Sequence, residues 1–255
     1  MNNLQKVTTY LKRIGYSGHP AVNFDTLHAL QRQHLLTVPY ENIDILNNIP
    51  ISLNVDDIYD KVVTRRRGGY CFELNALFAW LLRELGFKVT DYMARFLLNE
   101  PEIPMRRHRV LSVLTADGQC YLCDVGVGLV IPRQPVPLVL GVENPQNGEN
   151  YILEYDDFLG YVLHDQKDGE WRQLYSFTAE EQLEKDYIMP SFFCEKHPDS
   201  IFNKTHMVHI FTENGRKSVA DRELKIFSPS GVDIKNPATE AEFKLLLLEH
   251  FGLIV

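Results

Sequence analysis

The 255-residue chain has few cysteines, no excess of positive charge and no long apolar run. Four cysteines are too few for a disulfide scaffold in a chain of this length. The formal net charge of −8 argues against nucleic acid as the main partner, since residues 65–67 are the only evident basic cluster. The longest aliphatic run, residues 245–248, cannot span a bilayer, and the first residues lack the apolar segment of a signal peptide. We therefore expect a cytoplasmic protein without a membrane or nucleic-acid partner.

The sequence gives little support for a metal site. Cys120 and Cys123 form one C-x-x-C pair, and a structural zinc site normally needs four ligands. The pair follows an Asp117-Gly118 turn signal and is typical of a strand, in which residues three apart point to opposite faces. We interpret both cysteines as packing residues and expect no metal.

Three segments of different periodicity follow one another. Residues 1–86 have helical apolar spacing and predict a helical bundle. Residues 87–190 contain short strand-like runs separated by turn signals such as Asp168-Gly169, which predict an antiparallel β-barrel followed by a polar helix over residues 178–187. Residues 191–255 predict a small α/β lid, with Pro237 in the first turn of a last helix. The fold class predicted is α+β.

Cys71 lies in the most informative run of the chain, which reads Arg-Arg-Arg-Gly-Gly-Tyr-Cys-Phe-Glu-Leu-Asn over residues 65–75. Apolar residues at helical spacing begin directly after the thiol and stop at Gly86, as in a helix closed by a glycine. A helix N-terminus and nearby cations both favour a thiolate over a thiol. The run therefore predicts a reactive cysteine with a lowered pKa.

A cysteine nucleophile needs a histidine base and a group that orients that histidine. His108 stands at the entry of one predicted strand, and Asp124 ends the next strand of the same hairpin. The turn between them places both residues at one end of the hairpin. Most other histidines fall where helix surfaces or loops are expected, while His206 and His209 remain possible core or groove residues.

Four motifs together resemble the arylamine N-acetyltransferase family. They are the Arg-Arg-Gly-Gly-Tyr-Cys-Phe-Glu run around Cys71, Val-Pro-Tyr-Glu-Asn over residues 38–42, His108, and Asp-Val-Gly-Val-Gly from Asp124. The segment over residues 10–16 is also similar to the start of family members. The likeness runs from about residue 8 to about residue 227, and the short C-terminus is similar to bacterial members.

The resemblance implies a Cys71–His108–Asp124 triad in a three-part fold like that of thiol proteases and transglutaminases. It implies acetyl-CoA as the co-substrate, no metal, and transfer of the acetyl group to an arylamine or arylhydrazine nitrogen by a ping-pong mechanism. It also implies a buried ion pair between Arg67 and Glu41. For the acceptor pocket it implies Tyr40, Arg107 and Val127, and for coenzyme A contacts Phe193, Ser200 and Phe202.

Two positions depart from the family pattern. Arg107 stands where the family often has threonine, and Val127 where it often has an aromatic residue, so the acceptor range is open. Other functions also remain open at this point. An amide synthase or a thiol hydrolase would use the same triad on another acyl donor, and a degenerate protein would bind coenzyme A or an aromatic ligand without turnover. The sequence does not indicate an oligomeric state.

Overall fold

A computed structural model describes residues 2–128 and 130–255, and its first part is helical. The helices and one short strand are α1 (Asn3–Arg13), α2 (Phe24–Thr37), β1 (Tyr40–Glu41), α3 (Ile43–Leu46), α4 (Val55–Tyr59) and α5 (Cys71–Glu84). A π-helical turn, Asp60–Thr64, extends α4. Asparagine side chains cap three of these helices by accepting a backbone N–H of the first turn. Gly86 follows α5 with φ +91°, the left-handed backbone that stops a helix at glycine.

The helix α5 lies at the centre of the molecule. Leu74, Leu77, Phe78 and Leu81 have no exposed surface. Residues that point in every direction from the helix are buried, as expected for a helix enclosed on all sides. It packs against α1 and α4 and against two strands of the following sheet. The first turn of α5 is therefore held rigidly from several directions.

The second part is an eight-stranded antiparallel sheet. Its strands are β2 (Lys88–Phe96), β3 (His108–Leu114), β4 (Cys120–Cys123), β5 (Val136–Pro137), β6 (Asn144–Gln146), β7 (Glu149–Asp156), β8 (Gly160–Lys167) and β9 (Glu170–Glu181). Their order is β5-β4-β3-β2-β9-β8-β7-β6. The two edge strands approach each other, since the Gln146 side chain hydrogen bonds with both backbone groups of Gln134. The sheet thus forms a nearly closed barrel.

The third part packs against the helical region, with contacts to α2 and β1. It consists of α6 (Ile188–Lys196), β10 (Met207–Thr212), β11 (Gly215–Ala220), β12 (Glu223–Ser228), β13 (Gly231–Lys235) and α7 (Glu240–Phe251). Strand β1 of the helical part joins this sheet by pairing with β10, which sets Tyr40 opposite His209. A buried apolar cluster that includes Val208, Leu224 and Phe243 fills the space between this sheet and α7.

The predicted α+β class, with helices, an antiparallel barrel and an α/β region in that order, is confirmed. The polar helix predicted over residues 178–187 is wrong, because β9 continues to Glu181 and only a 3₁₀ turn, Glu184–Tyr187, precedes α6. Pro237 does not open α7, which begins at Glu240 with Thr239 as its cap. The domain boundaries after residues 86 and 190 stay predictions, and α6 crosses the second of them.

Candidate active site

Cys71 is the first residue of α5, and only 3% of its surface is exposed. The Glu73 carboxylate accepts the backbone N–H of Tyr70 at 3.1 Å and thereby closes the first turn. Gly126, in the loop after β4, lies directly on this turn, since a Cβ at that position would be 2.8 Å from the Cys71 Cα. The thiol therefore lies in an enclosed corner between the helix and the loop.

The sulfur of Cys71 lies against the start of β3. Its S–H points to the Arg107 carbonyl oxygen at 3.8 Å, and the backbone of Arg109 also hydrogen bonds with it. These two residues flank His108, which is 3% exposed. The structure thus brings the thiol to the backbone on both sides of the predicted base.

His108 is paired with Asp124. The imidazole Nε2 and the Asp124 Oδ2 are 2.7 Å apart, and both side chains are buried. Because a carboxylate only accepts hydrogen bonds, the Nε2–H donates and Nδ1 carries the free lone pair. Nδ1 has no hydrogen-bond partner among the described residues. Leu111 of β3 pairs with Cys123 of β4. Extending this pairing by one residue beyond Cys123 puts Asp124 on the face of the sheet that carries His108.

Asn75 joins this pair to the helix, and the sequence did not single it out. Its Nδ2 donates to the second Asp124 oxygen, Oδ1, at 2.8 Å and to the Arg109 carbonyl at 2.6 Å. Its Oδ1 accepts the Val125 N–H at 2.9 Å. Asn75 lies four residues after Cys71 and hence on the same face of α5. That four-residue spacing was the one signal in the sequence that could have identified Asn75.

The pKa of the Cys71 thiol is raised, opposite to the prediction. Burial is the main cause, and the neighbouring Cys194 and Asp124 act in the same direction. Hydrogen bonding from the backbone of Arg109 and Phe72 opposes this rise but does not offset it. An isolated thiolate is therefore unfavourable here, and a positive charge next to the sulfur is needed to stabilise one.

Two arginines of the run, Arg65 and Arg67, pair with acids and so do not supply that charge. Arg67 donates to the Glu41 carboxylate from Nε at 3.0 Å and from Nη2 at 2.8 Å, which is the ion pair that the resemblance implied. Arg65 pairs with Asp60 at the surface. Lys61 extends the buried part of the network, since its ammonium group bridges Asp44 and Glu73. These pairs fix the segment before Cys71 in place.

Tyr40 and Val127, both predicted for the acceptor pocket, line one cleft. The same cleft is lined by Gly128 and His209, and the rings of Tyr40 and His209 lie 5.9 Å apart. His209 is 7% exposed, its Nδ1 has no partner among the described residues, and burial lowers its pKa to about 4. The structure therefore places His209 in the groove rather than in the core. Burial raises the pKa of the Tyr40 hydroxyl; the nearby Cys71 adds to this rise, and the Arg107 charge opposes it.

The three residues predicted to contact coenzyme A lie on and after α6. Phe193 stacks on the His197 ring at 4.3 Å, and Phe202 meets the Tyr70 ring edge-on at 6.0 Å. Ser200 is fully buried, and its hydroxyl donates to the Cys194 carbonyl at 2.5 Å. That bond gives Ser200 a structural task. A role of these residues in binding coenzyme A stays a prediction.

The described part of the chain has neither a metal-binding cluster nor a helix able to span a membrane. Residues 2–128 and 130–255 contain no group of three or more histidine, cysteine or acidic side chains arranged to hold a metal ion. No helix within those residues combines the length and the apolar character that crossing a bilayer requires.

Comparison with known proteins gives a consistent result. Residues 23–255 match the model of the N-acetyltransferase family. The arylamine N-acetyltransferase of Mycobacterium tuberculosis is 35% identical over 254 residues, which cover 98% of this chain and 89% of that protein. The Escherichia coli arylamine N-acetyltransferase is 35% identical over 248 residues, covering 96% and 87%.

Solved structures agree with the sequence comparisons. The arylamine N-acetyltransferase from Salmonella typhimurium superposes with a TM-score of 0.93 at 26% identity, covering 99% of this chain and 92% of the other. The Mycobacterium marinum enzyme in complex with CoA gives a TM-score of 0.89 at 32% identity, covering 96% and 92%. By its fold, its site residues and these relatives, this chain belongs to the arylamine N-acetyltransferases, a family of acyltransferases.

Proposed function

We propose that this enzyme transfers an acetyl group from acetyl-CoA to the nitrogen of an arylamine or arylhydrazine through an acetyl-Cys71 intermediate. The observation that carries the proposal is the 2.7 Å His108–Asp124 hydrogen bond beside a sulfur held against the backbone on both sides of His108. Cys71 is the nucleophile, His108 the base and Asp124 the group that fixes the imidazole. Membership in the family supports this assignment, as does the M. marinum relative in complex with CoA.

In the first half-reaction, His108 Nδ1 takes the Cys71 proton and the thiolate attacks the thioester carbonyl. The buried thiolate is stable only beside the imidazolium, because burial alone raises the thiol pKa. A hydrogen bond lowers the pKa of a thiol when an N–H group donates it to the sulfur. The backbone N–H groups of Phe72 and Arg109 have this effect on Cys71 and therefore point into the site. They are candidates to hold the oxyanion. The tetrahedral intermediate expels the CoA thiolate, which leaves with the proton from His108.

In the second half-reaction, the acceptor nitrogen attacks the acetyl-Cys71 carbonyl. An arylamine is barely basic and hence neutral at pH 7, so its lone pair is free. His108 Nδ1 removes the proton from nitrogen, and the Cys71 sulfur leaves as a thiolate and regains a proton. The Asp124 carboxylate holds the Nε2–H throughout. The cleft bordered by Tyr40 and Val127 is the proposed acceptor pocket, and Phe193 and Phe202 are proposed to meet coenzyme A.

A burst experiment tests this mechanism. Mixing the enzyme with acetyl-CoA and no amine is expected to release one equivalent of CoA per site and to add one acetyl group to Cys71, read by intact-protein and peptide mass spectrometry. The Cys71→Ala variant controls for acetylation elsewhere. Turnover that requires both substrates together, with no acetylated enzyme at any time, would contradict the proposal.

The same assay separates the other acyl-transfer chemistries. A thiol hydrolase would consume acetyl-CoA continuously without amine, whereas an acetyltransferase stops after the burst. An amide synthase would prefer longer acyl chains in a panel of acyl-CoA donors. The enclosed position of Cys71, 3% exposed, favours an acyl-enzyme that waits for an amine.

A further inference from the structure

The Arg109 side chain is 1% exposed although it carries a full positive charge. Side chains alternate along a strand, so it lies on the opposite face of β3 from His108. Only the backbone N–H of Arg109 takes part in the proposed mechanism. Because a buried charge needs partners, the groups around this guanidinium indicate what the side chain does.

Two carboxylates surround the guanidinium. Its Nε donates to the Asp91 Oδ1 at 2.8 Å, while Nη1 and Nη2 donate to the two Glu184 oxygens at 3.0 and 2.7 Å. The contact with Glu184 has the two parallel bonds of a strong arginine–carboxylate pair. Asp91 belongs to the neighbouring strand β2, whereas Glu184 begins the 3₁₀ turn that leads into α6. The guanidinium therefore joins the barrel to the start of α6.

The guanidinium also lies over an aromatic ring. Its Cζ is 4.4 Å from the centroid of the Tyr187 ring, which is a cation–π contact. Tyr187 is fully buried and packs against Phe72, with the two ring centroids 5.7 Å apart. Phe72 directly follows Cys71 in the first turn of α5. A stack of three side chains thus runs from Arg109 to the residue next to the nucleophile.

The backbone of Arg109 reaches the nucleophile from the other side. Strand β4 ends at Cys123, which pairs with Leu111, so Arg109 lies beyond the end of that strand. Its carbonyl accepts the Asn75 Nδ2–H at 2.6 Å instead, and its N–H donates to the Cys71 sulfur. Since Asn75 and Cys71 both belong to α5, the main chain at Arg109 is docked on the helix that carries the thiol.

We propose that Arg109 is a positioning residue whose guanidinium sets the separation of the two backbone N–H groups, those of Phe72 and of Arg109 itself, that face the Cys71 sulfur. This inference rests on the proposed function, in which these two groups hold the oxyanion. The side chain anchors its own main chain directly and anchors Phe72 through Tyr187. Oxyanion donors act only when they are fixed at hydrogen-bond distance from the developing charge. Loosening their anchor therefore weakens the transition state more than it weakens the substrate complex.

The guanidinium acts through its position and not through its charge. Burial opposes its charged form, but the Glu184 and Asp91 carboxylates outweigh this and raise the pKa of Arg109 above its ordinary value. The side chain therefore stays protonated at every pH at which the enzyme is assayed, and two acids balance its charge. Replacing it should change the rate of acetylation but not the pH at which that rate is half of its maximum.

The test measures the CoA burst at increasing concentrations of acetyl-CoA. We expect Arg109→Gln to lower the acetylation rate constant at saturating acetyl-CoA about 10- to 100-fold and to change the half-saturating concentration less than about twofold. Arg109→Lys keeps the charge but not the planar fork, so it should lose nearly as much rate. Glu184→Gln weakens the same anchor at a side chain that is 60% exposed, where the fold is not at risk, and should slow the burst about threefold.

Arg172→Gln is the matched control. Arg172 also forms a two-bond pair with a buried acid, Asp165, but between β8 and β9 of the barrel. This variant should keep the wild-type rate constant. Circular dichroism and the burst amplitude give the folded fraction of each variant, so that every rate constant refers to folded enzyme.

The outcomes separate this inference from the proposed function. Normal rate constants in both Arg109→Gln and Glu184→Gln, with only stability lowered, would show that Arg109 supports the fold alone and would overturn the inference. A shifted pH midpoint would overturn it as well, because the charge would then be what matters, and so would a raised half-saturating concentration at an unchanged rate constant. If Arg109→Gln does not fold, Glu184→Gln decides. Failure of the wild type to form acetyl-Cys71 would instead refute the proposed function.

Discussion

The amide of Asn75 and the carboxylate of Asp124 lie 2.8 Å apart, and this contact links the two parts of the molecule that carry the proposed triad. Asn75 belongs to the same helix as Cys71, whereas Asp124 follows the barrel strand next to His108. The Asp124 carboxylate uses one oxygen for His108 and the other for Asn75 and the Gly126 N–H. Its orientation is therefore fixed from the helix and from its own loop.

This contact predicts that Asn75 acts as a positioning residue. We expect Asn75→Ala to slow acetylation of Cys71 by acetyl-CoA roughly 10- to 100-fold, because Asp124 loses one anchor and the imidazole is held less firmly. The pH dependence of kcat/KM should shift together with the rate. The measurement is the pH profile of the CoA burst. A variant with a normal rate and an unchanged profile would show that Asn75 only supports the fold.

Asp124→Asn tests the orienting carboxylate itself. We expect a loss of acetylation rate on the order of 10³- to 10⁴-fold with the fold preserved, as when a triad acid is replaced by its amide and the histidine adopts the wrong tautomer. Asp117→Asn is the matched control, since Asp117 lies on the turn of the same hairpin and bonds only locally to Thr115 and Gln119. Near-normal turnover of the Asp124→Asn variant would show that Asp124 only stabilises the turn and does not orient His108.

The sequence predicted the backbone arrangement of this site well because local signals determine it. The Asp117-Gly118 turn sets the register of β3 with β4, and Gly86 ends the helix that begins at Cys71. The strand β6 was not predicted, since three residues that include Pro145 give too short and too unfavourable a pattern. The exposed polar end of β9 resembled a helix for a similar reason, because its pairing with β2 rather than its composition makes it a strand.

Tertiary contacts explain what the sequence did not predict in the site. Asn75 gains its role only when β3 and the loop after β4 pack on α5. The lowered thiol pKa was expected from charges close in sequence, but Arg67 is turned toward Glu41, and burial decides the direction. Local sequence indicates which charges are near along the chain and not which side chains they pair with.

Gly126 is predicted to be intolerant of any side chain. A Cβ there would lie 2.8 Å from the Cys71 Cα and 2.6 Å from the Asn75 Nδ2, so the loop must move away from α5. We expect Gly126→Ala to cost about 1–3 kcal/mol of unfolding free energy and to reduce the CoA burst rate at least tenfold. Denaturant unfolding and burst kinetics measure the two effects.

Gly18→Ala is the control for that experiment. Its Cβ would meet the tip of the Tyr16 side chain at 2.8 Å, and that tip can rotate away. The control should keep normal stability and burst kinetics. An equally mild effect of Gly126→Ala would mean that the loop position does not define the site.

His209 predicts a loss of stability in mild acid. Burial lowers its pKa in the folded protein to about 4, against an ordinary value near 6.5 in the unfolded chain. The unfolded state therefore binds a proton that the folded state does not, and stability falls as the pH drops from about 6.5 to about 4. The difference in pKa corresponds to at most about 3.4 kcal/mol of unfolding free energy. Thermal unfolding of wild type and His209→Gln between pH 7 and pH 4 measures it, and identical pH dependence in the two proteins would contradict the prediction.

Two of the three arginines before Cys71, Arg65 and Arg67, are expected to differ sharply in their effect on stability. Arg67→Ala leaves the Glu41 carboxylate, whose side chain is 0% exposed, without its cation, and this should cost about 3–5 kcal/mol. Arg65→Ala removes a pair in which both side chains are more than half exposed, so it should cost at most about 1 kcal/mol. Urea unfolding of the two variants gives the comparison. Pairing Arg67→Ala with Glu41→Gln should recover part of the loss, because the uncompensated charge is then absent; no recovery would show that lost packing, and not an unpaired carboxylate, causes the destabilisation.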